Sequence, residues 1–187
     1  MTSAAFQSAP SLPPKLRPAH LRGIAAWFCL CVSLVPAPGL GHASAVSGKA
    51  PEFVRPGLNV PQVDLKSYQG KVVLLNFWAT WCAPCLVEIP RFMEWQKDYG
   101  AKGLQVIGVS MDDSSPPVRE LLRKLKINYP VLMGDERLGE LYGGVLGLPV
   151  TYLIDKGGRL RARFDGETDL SGMEKQVKTL LSAPPSR

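Results

Sequence analysis

Short apolar runs alternate with helically spaced apolar residues along the chain from about residue 60 onward. The run Val72–Trp78 is almost entirely apolar and rich in β-branched and aromatic residues, which predicts a central strand buried on both faces. Apolar residues then recur at helical intervals from Ala83 to Tyr99, and Gly100 follows where such a helix would end. The pattern therefore predicts a buried strand that leads directly into a long amphipathic helix.

The same alternation continues to the C-terminus. Further strands are predicted at 60–65, 104–109, 150–154 and 159–164, and further helices at 116–126, 136–142 and 171–181. The sequence Asp-Lys-Gly-Gly at 155–158 predicts a hairpin turn, and Ser171 with Glu174 has the spacing of a capping box. Strands that alternate with helices and end in a hairpin predict a single-domain α/β sandwich.

The first 45 residues have a different pattern, with no acidic residue and three basic residues ending at Arg22. An apolar segment at 23–35 follows, and the small residues that end at Ala45 resemble a cleavage site. Residues 1–45 are therefore predicted to be a secretory signal peptide. Because residues 21–40 are uncharged apart from Arg22, an uncleaved membrane anchor is the alternative.

Composition divides the rest of the chain into three parts. Residues 46–59 contain Gly and Pro and are predicted to be a linker, residues 60–183 the folded domain, and residues 184–187 a flexible tail. The 187 residues are 45% hydrophobic and 20% charged, which is ordinary for a domain with a buried core. These values exclude a wholly disordered chain and a membrane protein with several spans.

The formal net charge of +6 suggests an anionic partner at first. Cleavage after Ala45 would remove three basic residues and reduce the charge to +3. Arg159, Arg161 and Arg163 alternate along one predicted strand, which is typical of a solvated face, and no aromatic groove accompanies them. A nucleic-acid partner is therefore not expected.

The candidate chemistry is concentrated in Trp81-Cys82-Ala83-Pro84-Cys85, where the central strand passes into the helix. Cys82 would lie at the first turn, where unpaired N–H groups and the helix dipole stabilise a thiolate. Cys85, one helical turn later, can attack a mixed disulfide at Cys82 and release the product. The pair therefore predicts thiol–disulfide exchange, with Cys82 as nucleophile and Cys85 as resolving thiol.

Two other uses of this cysteine pair are less favoured. A zinc site needs about four nitrogen or sulfur ligands, but residues 46–187 contain only these two cysteines and no histidine. A purely structural disulfide would close too short a loop to stabilise the fold much. We therefore expect no metal and no cofactor besides the redox-active cysteine pair, and we assign Cys29 and Cys31 to the export signal.

Three further features accompany the cysteine pair: the whole segment 76–85, Glu88 with Pro90 on the helix, and Gly147-Leu148-Pro149 ahead of the strand. Together they make residues 60–181 similar to the thioredoxin superfamily, in particular to exported TlpA/ResA-type thiol–disulfide oxidoreductases with an AhpC/TSA–redoxin-like domain. The resemblance implies a thioredoxin fold, a three-layer α/β/α sandwich with a central mixed sheet, in which Pro149 is a cis-proline beside the dithiol.

The resemblance also implies which residues meet the substrate. The backbone at Leu148 and Val150, on either side of Pro149, would receive a substrate chain as an added strand. The remaining candidate substrate-binding residues are those around the cysteines, namely Trp81, Ala83 and Pro84.

Several residues near the pair are assigned roles by similarity. Glu88 would tune thiol protonation and relay protons to Cys85, since Asn76 replaces the buried Asp of cytoplasmic thioredoxins and cannot act as a base. Trp78 would either flank the dithiol or pack in the core, and Pro90 would kink the helix. Asp112 and Asp113 follow a strand end and are expected to be solvated loop residues.

The predicted protein is therefore an exported reductase in the periplasm or another extracytoplasmic space. By similarity, apocytochrome c and copper-site proteins are its candidate substrates, a membrane thiol donor of the DsbD/CcdA kind would reduce it, and it would be a monomer. The alternatives are a peroxiredoxin-type thiol peroxidase and a thioredoxin-fold copper chaperone. The first normally has Thr or Ser where this chain has Ala79, and the second would need a longer cysteine spacing with a downstream His.

Overall fold

A computed structural model describes residues 43–44 and 46–185. The predicted signal or anchor therefore lies outside the described residues except for Ala43 and Ser44, and its cleavage remains a prediction. Among the helices of the described part, none combines the length and apolar character needed to cross a membrane.

Eight strands and four helices make up the described chain. The strands are β1 (Ala43–Ser44), β2 (Val54–Pro56), β3 (Gln62–Asp64), β4 (Val72–Trp78), β5 (Leu104–Ser110), β6 (Val131–Met133), β7 (Val150–Ile154) and β8 (Leu160–Asp165). The helices are α1 (Ala83–Tyr99), α2 (Ser115–Leu125), α3 (Glu136–Leu141) and α4 (Leu170–Ser182). Apart from the region before β4, every predicted helix and strand is present with ends shifted by at most one residue.

Six strands form one sheet in the order β1-β8-β7-β4-β5-β6. Strand β4 pairs in parallel with β5 and antiparallel with β7, so the predicted mixed sheet is confirmed. All seven residues of β4 are buried, which explains why its sequence is a continuous apolar run rather than an alternating one.

Alternate residues of β4 belong to two separate cores. Val72, Leu74 and Trp78 pack with α1, α2 and α4 on one face of the sheet. Phe77 and its alternate neighbours pack on the other face with α3 and with residues 50–65. The sheet is therefore flanked by helices on both faces, as predicted.

The segment 46–59, predicted to be a linker, contributes to the core instead from Ala50 onward. Ala50 and Phe53 are buried, and β2 pairs with β3 as a two-stranded ribbon. The Leu65 N–H donates to the Phe53 carbonyl at 3.1 Å, and the strand predicted at 60–65 shortens to β3 followed by a 3-10 turn at Leu65–Tyr68. Prolines interrupt the apolar pattern here, so no strand period is visible in the sequence.

The start of α4 also differs from the predicted capping box. Asp169 is the N-cap, and its carboxylate accepts the N–H groups of Ser171 and Gly172 at 2.9 and 3.1 Å. Glu174 instead accepts the Tyr99 hydroxyl of α1 at 2.5 Å. Asp169 and Ser171 are both residue types that cap helices, and the earlier of the two, Asp169, caps α4.

The arginines of β8 do not all lie on a solvated face. Arg159 and Arg161 are exposed, but Arg163 is half-buried. The Arg163 guanidinium lies 5.5 Å from the centre of the Tyr152 ring and donates to the Gly144 carbonyl at 3.0 Å. Arg163 therefore ties the loop after α3 to the sheet.

Candidate active site

The cysteine pair lies at the end of β4, where the chain turns into α1. Cys82 is the N-cap of α1, and a disulfide joins it to Cys85 with a Cα–Cα distance of 5.3 Å. The Cys82 sulfur accepts the Cys85 N–H at 3.3 Å. The first N–H groups of a helix have no partner within it, so this sulfur occupies a position that favours negative charge.

The two sulfurs differ little in exposure, but their neighbours differ. Cys82 is 5% exposed and Cys85 is 1% exposed. Trp81, directly before Cys82, is 70% exposed, and Ala83 is exposed as well. The Cys82 side of the disulfide therefore has the more exposed neighbours, and the order of attack by the two cysteines stays a prediction.

The turn before Cys82 is held by Asp112, which was predicted to be a solvated loop residue. Asp112 is buried instead, and its carboxylate accepts the Thr80 N–H at 3.0 Å and the Thr80 hydroxyl at 2.5 Å. The Ser110 hydroxyl donates to the same carboxylate at 2.8 Å. Asp113 is exposed as expected. The only sequence signal for Asp112 was its position after β5, because carboxyl ends of parallel strands gather at one edge.

Glu88 lies on α1 one turn after Cys85 and is only 4% exposed. Its Oε2 atom has no hydrogen-bond partner in the described residues. Burial, with a smaller contribution from the negative charge of Glu167, raises the pKa of Glu88 to about 7. Burial, and to a smaller extent the negative charge of Glu88, also raises the pKa of Tyr129. A buried carboxyl group whose pKa lies near neutral pH can take up and release protons under physiological conditions.

Glu88 lines a cleft of about 380 Å³ on the α1 side of the disulfide, together with Ala83, Pro84, Val87, Glu167, Thr168 and Leu170. Glu167 comes from the loop between β8 and α4. Nothing in the sequence pattern indicated that Glu167 would lie near the cysteine pair.

The Pro149 loop lies at the same end of the sheet, since Val150 pairs with Phe77 near the end of β4. The Leu148–Pro149 peptide bond is cis. A second cleft of about 380 Å³ is lined by Trp81, Met111, Val145, Leu146, Gly147 and Leu148. Leu146 is fully exposed, so this side of the disulfide is apolar where the Glu88 side carries carboxyl groups.

The other predicted residues lie behind the site. The Asn76 amide donates to the Thr151 hydroxyl at 2.9 Å and is buried in the sheet. Trp78 is completely buried and packs in the core rather than at the surface of the site. Pro90 is exposed within α1, which continues to Tyr99.

Trp78 requires a glycine on the neighbouring strand. A Cβ added to Gly108 would lie 2.9 Å from the Trp78 Nε1 atom and 3.2 Å from Val131. Any larger residue at this position of β5 would therefore displace the Trp78 ring.

Comparison with known proteins places this arrangement in a family. A family model described as the AhpC/TSA family matches residues 46–163, which is more than half of the chain. The chain belongs to the AhpC/TSA family. A similar protein is the thiol–disulfide oxidoreductase ResA of Bacillus thuringiensis subsp. konkukian, which is 33% identical over 137 residues, or 72% of this chain and 78% of ResA.

Solved structures extend the comparison of this AhpC/TSA chain. A candidate thiol:disulfide interchange protein DsbE of Chlorobium tepidum has a TM-score of 0.68 at 33% identity, covering 74% of this chain and 100% of that one. A DsbF homologue of Corynebacterium diphtheriae has a TM-score of 0.68 at 27% identity, covering 78% and 97%. The predicted thioredoxin fold is thus confirmed, and the resemblance to thiol–disulfide oxidoreductases is confirmed with it.

Proposed function

We propose that this AhpC/TSA-family chain is an exported thiol–disulfide oxidoreductase that exchanges disulfides with substrate proteins through Cys82 and Cys85. The observation that carries this proposal is the Cys82–Cys85 disulfide at the start of α1, with one sulfur accepting a helix N–H and the exposed Trp81 beside it. The cysteine pair is itself the redox group, so the mechanism needs no metal or other cofactor.

In the reductive direction, the Cys82 thiolate attacks one sulfur of a substrate disulfide. A bond forms between Cys82 and that sulfur, the substrate disulfide breaks, and the second substrate sulfur leaves as a thiolate. The Cys85 thiolate then attacks the Cys82 sulfur, restores the Cys82–Cys85 disulfide and releases the first substrate sulfur. Two electrons pass from the enzyme dithiol to the substrate, and two protons complete the substrate thiols.

Glu88 is the residue that handles the proton of Cys85 in this proposal. Its pKa of about 7 leaves both protonation states populated near neutral pH, which is the best range for a general acid or base. The carboxylate would accept the Cys85 proton as that thiol becomes the nucleophile. Asn76, held by Thr151, cannot take over this role.

The residues around the disulfide would hold the substrate chain. The backbone at Leu148 and Val150 would pair with an extended substrate segment beside Pro149. Trp81, Ala83 and Pro84 would contact the residues next to the substrate cysteine.

The predicted export signal places this reaction outside the cytoplasm, in the periplasm or an equivalent space. The domain would be free after cleavage near Ala45 or held by residues 21–40. We propose net reduction of substrates such as apocytochrome c or copper-site proteins. A membrane thiol donor of the DsbD/CcdA kind would return Cys82 and Cys85 to the dithiol, and the enzyme would act as a monomer.

Trapping of the mixed disulfide tests the proposed chemistry. The Cys85→Ser variant should accumulate a covalent complex with substrate proteins that dithiothreitol releases, whereas Cys82→Ser should form none. Trapping of free thiols in cells tests the direction, since a reductase should be found mainly as the dithiol at steady state. A pair that is mainly oxidised and passes electrons to an oxidase would contradict net reduction.

The two alternative functions make different demands on the same residues. A peroxidase of the peroxiredoxin type would consume peroxide without a second enzyme cysteine, so its activity would survive in Cys85→Ser. The residue three positions before Cys82 is Ala79, which is fully buried and has no hydroxyl group that could hydrogen-bond to a bound peroxide. A copper chaperone would retain copper on the purified domain in a manner that depends on Cys82 and Cys85.

A further inference from the structure

Asp112 is an unusual buried carboxylate because, in the described part of the chain, the hydrogen bonds to its side chain come from hydroxyl and backbone N–H groups. Both oxygens face Thr80, with the Thr80 N–H at 3.0 Å on one and the Thr80 hydroxyl at 2.5 Å on the other. Ser110 adds a third hydrogen bond at 2.8 Å. Throughout the described residues, no Lys or Arg lies within ion-pair distance of Asp112. Two of its three bonds therefore fix one residue of the chain.

The residue that Asp112 fixes belongs to the turn that carries the nucleophile. Thr80 is two positions before Cys82 and one before the exposed Trp81. Among the described residues, two other backbone hydrogen bonds hold the same turn: the Cys82 N–H donates to the Ala79 carbonyl at 3.2 Å, and the Met111 N–H donates to the Trp78 carbonyl at 2.8 Å. Without Asp112, the Thr80 N–H would lose its acceptor. The turn would then be held by these two backbone hydrogen bonds at its ends, with none at its middle.

The carboxylate is not placed to act as a base. Its oxygens already accept three hydrogen bonds, and these come from Thr80 and Ser110 rather than from either cysteine. Its contacts instead determine the backbone conformation that brings Cys82 to the start of α1, where its sulfur meets the Cys85 N–H. The effect of Asp112 is therefore exerted through position.

We propose that Asp112 is a positioning residue of the disulfide-exchange reaction, which through Thr80 fixes the turn that presents Trp81 and Cys82 to the substrate. This role rests on the proposed thiol–disulfide oxidoreductase function. It adds a residue from the loop after β5 to a site otherwise built from the β4–α1 junction and the Pro149 loop. Small errors in position are costly in such a reaction, because the attacking sulfur must align with the disulfide bond.

Exchange kinetics with a matched control test this role. The reduced protein is mixed with oxidised glutathione, and the second-order rate constant is measured together with the equilibrium constant of the Cys82/Cys85 pair against glutathione. We expect Asp112→Ala to slow the exchange by about tenfold or more and to change the equilibrium constant. The neighbouring exposed residue gives the control, since Asp113→Ala should match the wild type in both measurements.

Conservative variants separate positioning from simple stabilisation. Asp112→Asn keeps an oxygen for the Thr80 N–H and an amide that can donate to the Thr80 hydroxyl, so it should recover most of the rate. Thr80→Val replaces the hydroxyl with a methyl group and keeps the backbone N–H, so it should slow exchange by less than Asp112→Ala does. Thr80→Ser keeps the hydroxyl and should retain the wild-type rate. If circular dichroism shows that Asp112→Ala does not fold, the rate of Thr80→Val becomes the test. A wild-type exchange rate for Thr80→Val would then overturn the positioning role of Asp112.

Failure of this role can be told apart from failure of the proposed function. A folded Asp112→Ala variant with the wild-type rate and equilibrium constant would show that Asp112 only stabilises the fold. A wild-type protein that does not exchange with glutathione at all would overturn the oxidoreductase function itself, whatever the variants do.

Discussion

Two buried acidic side chains lie near the redox pair, and they differ in the number of hydrogen bonds that their carboxyl groups accept. Glu88, on the helix that follows the disulfide, has one carboxyl oxygen without a hydrogen-bond partner. Asp112, against the turn that precedes the disulfide, accepts three hydrogen bonds from Thr80 and Ser110. Both are less than a tenth exposed, so burial alone does not distinguish them.

The difference shows how one site can use the same chemical group for two purposes. A buried carboxyl group that lacks donors is easier to protonate, and the pKa of Glu88 accordingly rises to about 7. A carboxylate surrounded by donors holds those donors in place instead. We therefore expect changes at Glu88 to alter how the reaction responds to pH and changes at Asp112 to alter geometry and stability.

The largest expected effect is on the rate of the Cys85 step. The Gln side chain introduced by Glu88→Gln cannot accept the Cys85 proton. Release of glutathione from a Cys82 mixed disulfide should therefore slow by about a hundredfold or more at neutral pH. Stopped-flow measurements between about pH 5 and pH 9 should show that the wild-type dependence near pH 7 disappears. Glu120→Gln, at an exposed position of α2, is the control. A Glu88→Gln profile that overlays the wild-type curve would contradict proton transfer by Glu88.

The next effect is on stability as a function of pH. Because the folded protein raises the pKa of Glu88 from 4.5 to about 7, it binds this proton more tightly than the unfolded chain does. The free energy of unfolding should therefore fall as the pH rises from about 4.5 to about 7, by up to about 3 kcal/mol from this group. Urea unfolding of the oxidised protein at several pH values should show the decrease, and Glu88→Gln should reduce it. A Glu88→Gln curve as steep as the wild-type curve would show that other groups cause the decrease.

A smaller loss of stability is expected when the well-bonded carboxylate is removed. Asp112→Ala leaves the Thr80 N–H and two hydroxyl groups without their acceptor, which should lower the free energy of unfolding by about 1–3 kcal/mol. Urea unfolding at a single pH measures the loss, with Asp113→Ala as the control that should change little. Equal losses for the two variants would mean that the hydrogen bonds of Asp112 contribute nothing measurable.

The smallest effect should come from the second carboxyl group of the Glu88 cleft. Glu167→Gln removes a negative charge that opposes ionisation of Glu88, so the Glu88 pKa should fall. Since Glu167 is exposed to solvent, the midpoint of the rate profile should shift to lower pH by less than about one unit. The exposed residue Glu140 of α3 supplies the control, as Glu140→Gln should leave the midpoint in place. A shift to higher pH would contradict the proposed interaction.

The parts of the site that the sequence predicted are those built by neighbours in the chain. Cys82, Cys85 and Glu88 lie within two turns of one helix, and the buried strand before them is recognisable from its own composition. Their spacing therefore implies their relative placement, because an α-helix has a fixed rise and repeat.

The parts that the sequence did not predict depend on contacts between distant segments. Thr80 and Asp112 are 32 positions apart and meet because β4 and β5 end at the same edge of the sheet. Glu167 reaches the Glu88 cleft from the loop after β8, and Phe53 reaches the core from a proline-rich segment. Local propensity carries no information about such contacts, since each residue would be equally acceptable in a solvated loop.

The exposed apolar side chains beside the disulfide give substrate docking a calorimetric signature. Trp81 is 70% exposed and Leu146 is completely exposed, so in the free enzyme both are surrounded by water. A protein partner that covers them releases this hydration water, and burial of apolar surface lowers the heat capacity. Formation of the complex should thus become more exothermic as the temperature rises, even though the covalent exchange joins only sulfur atoms.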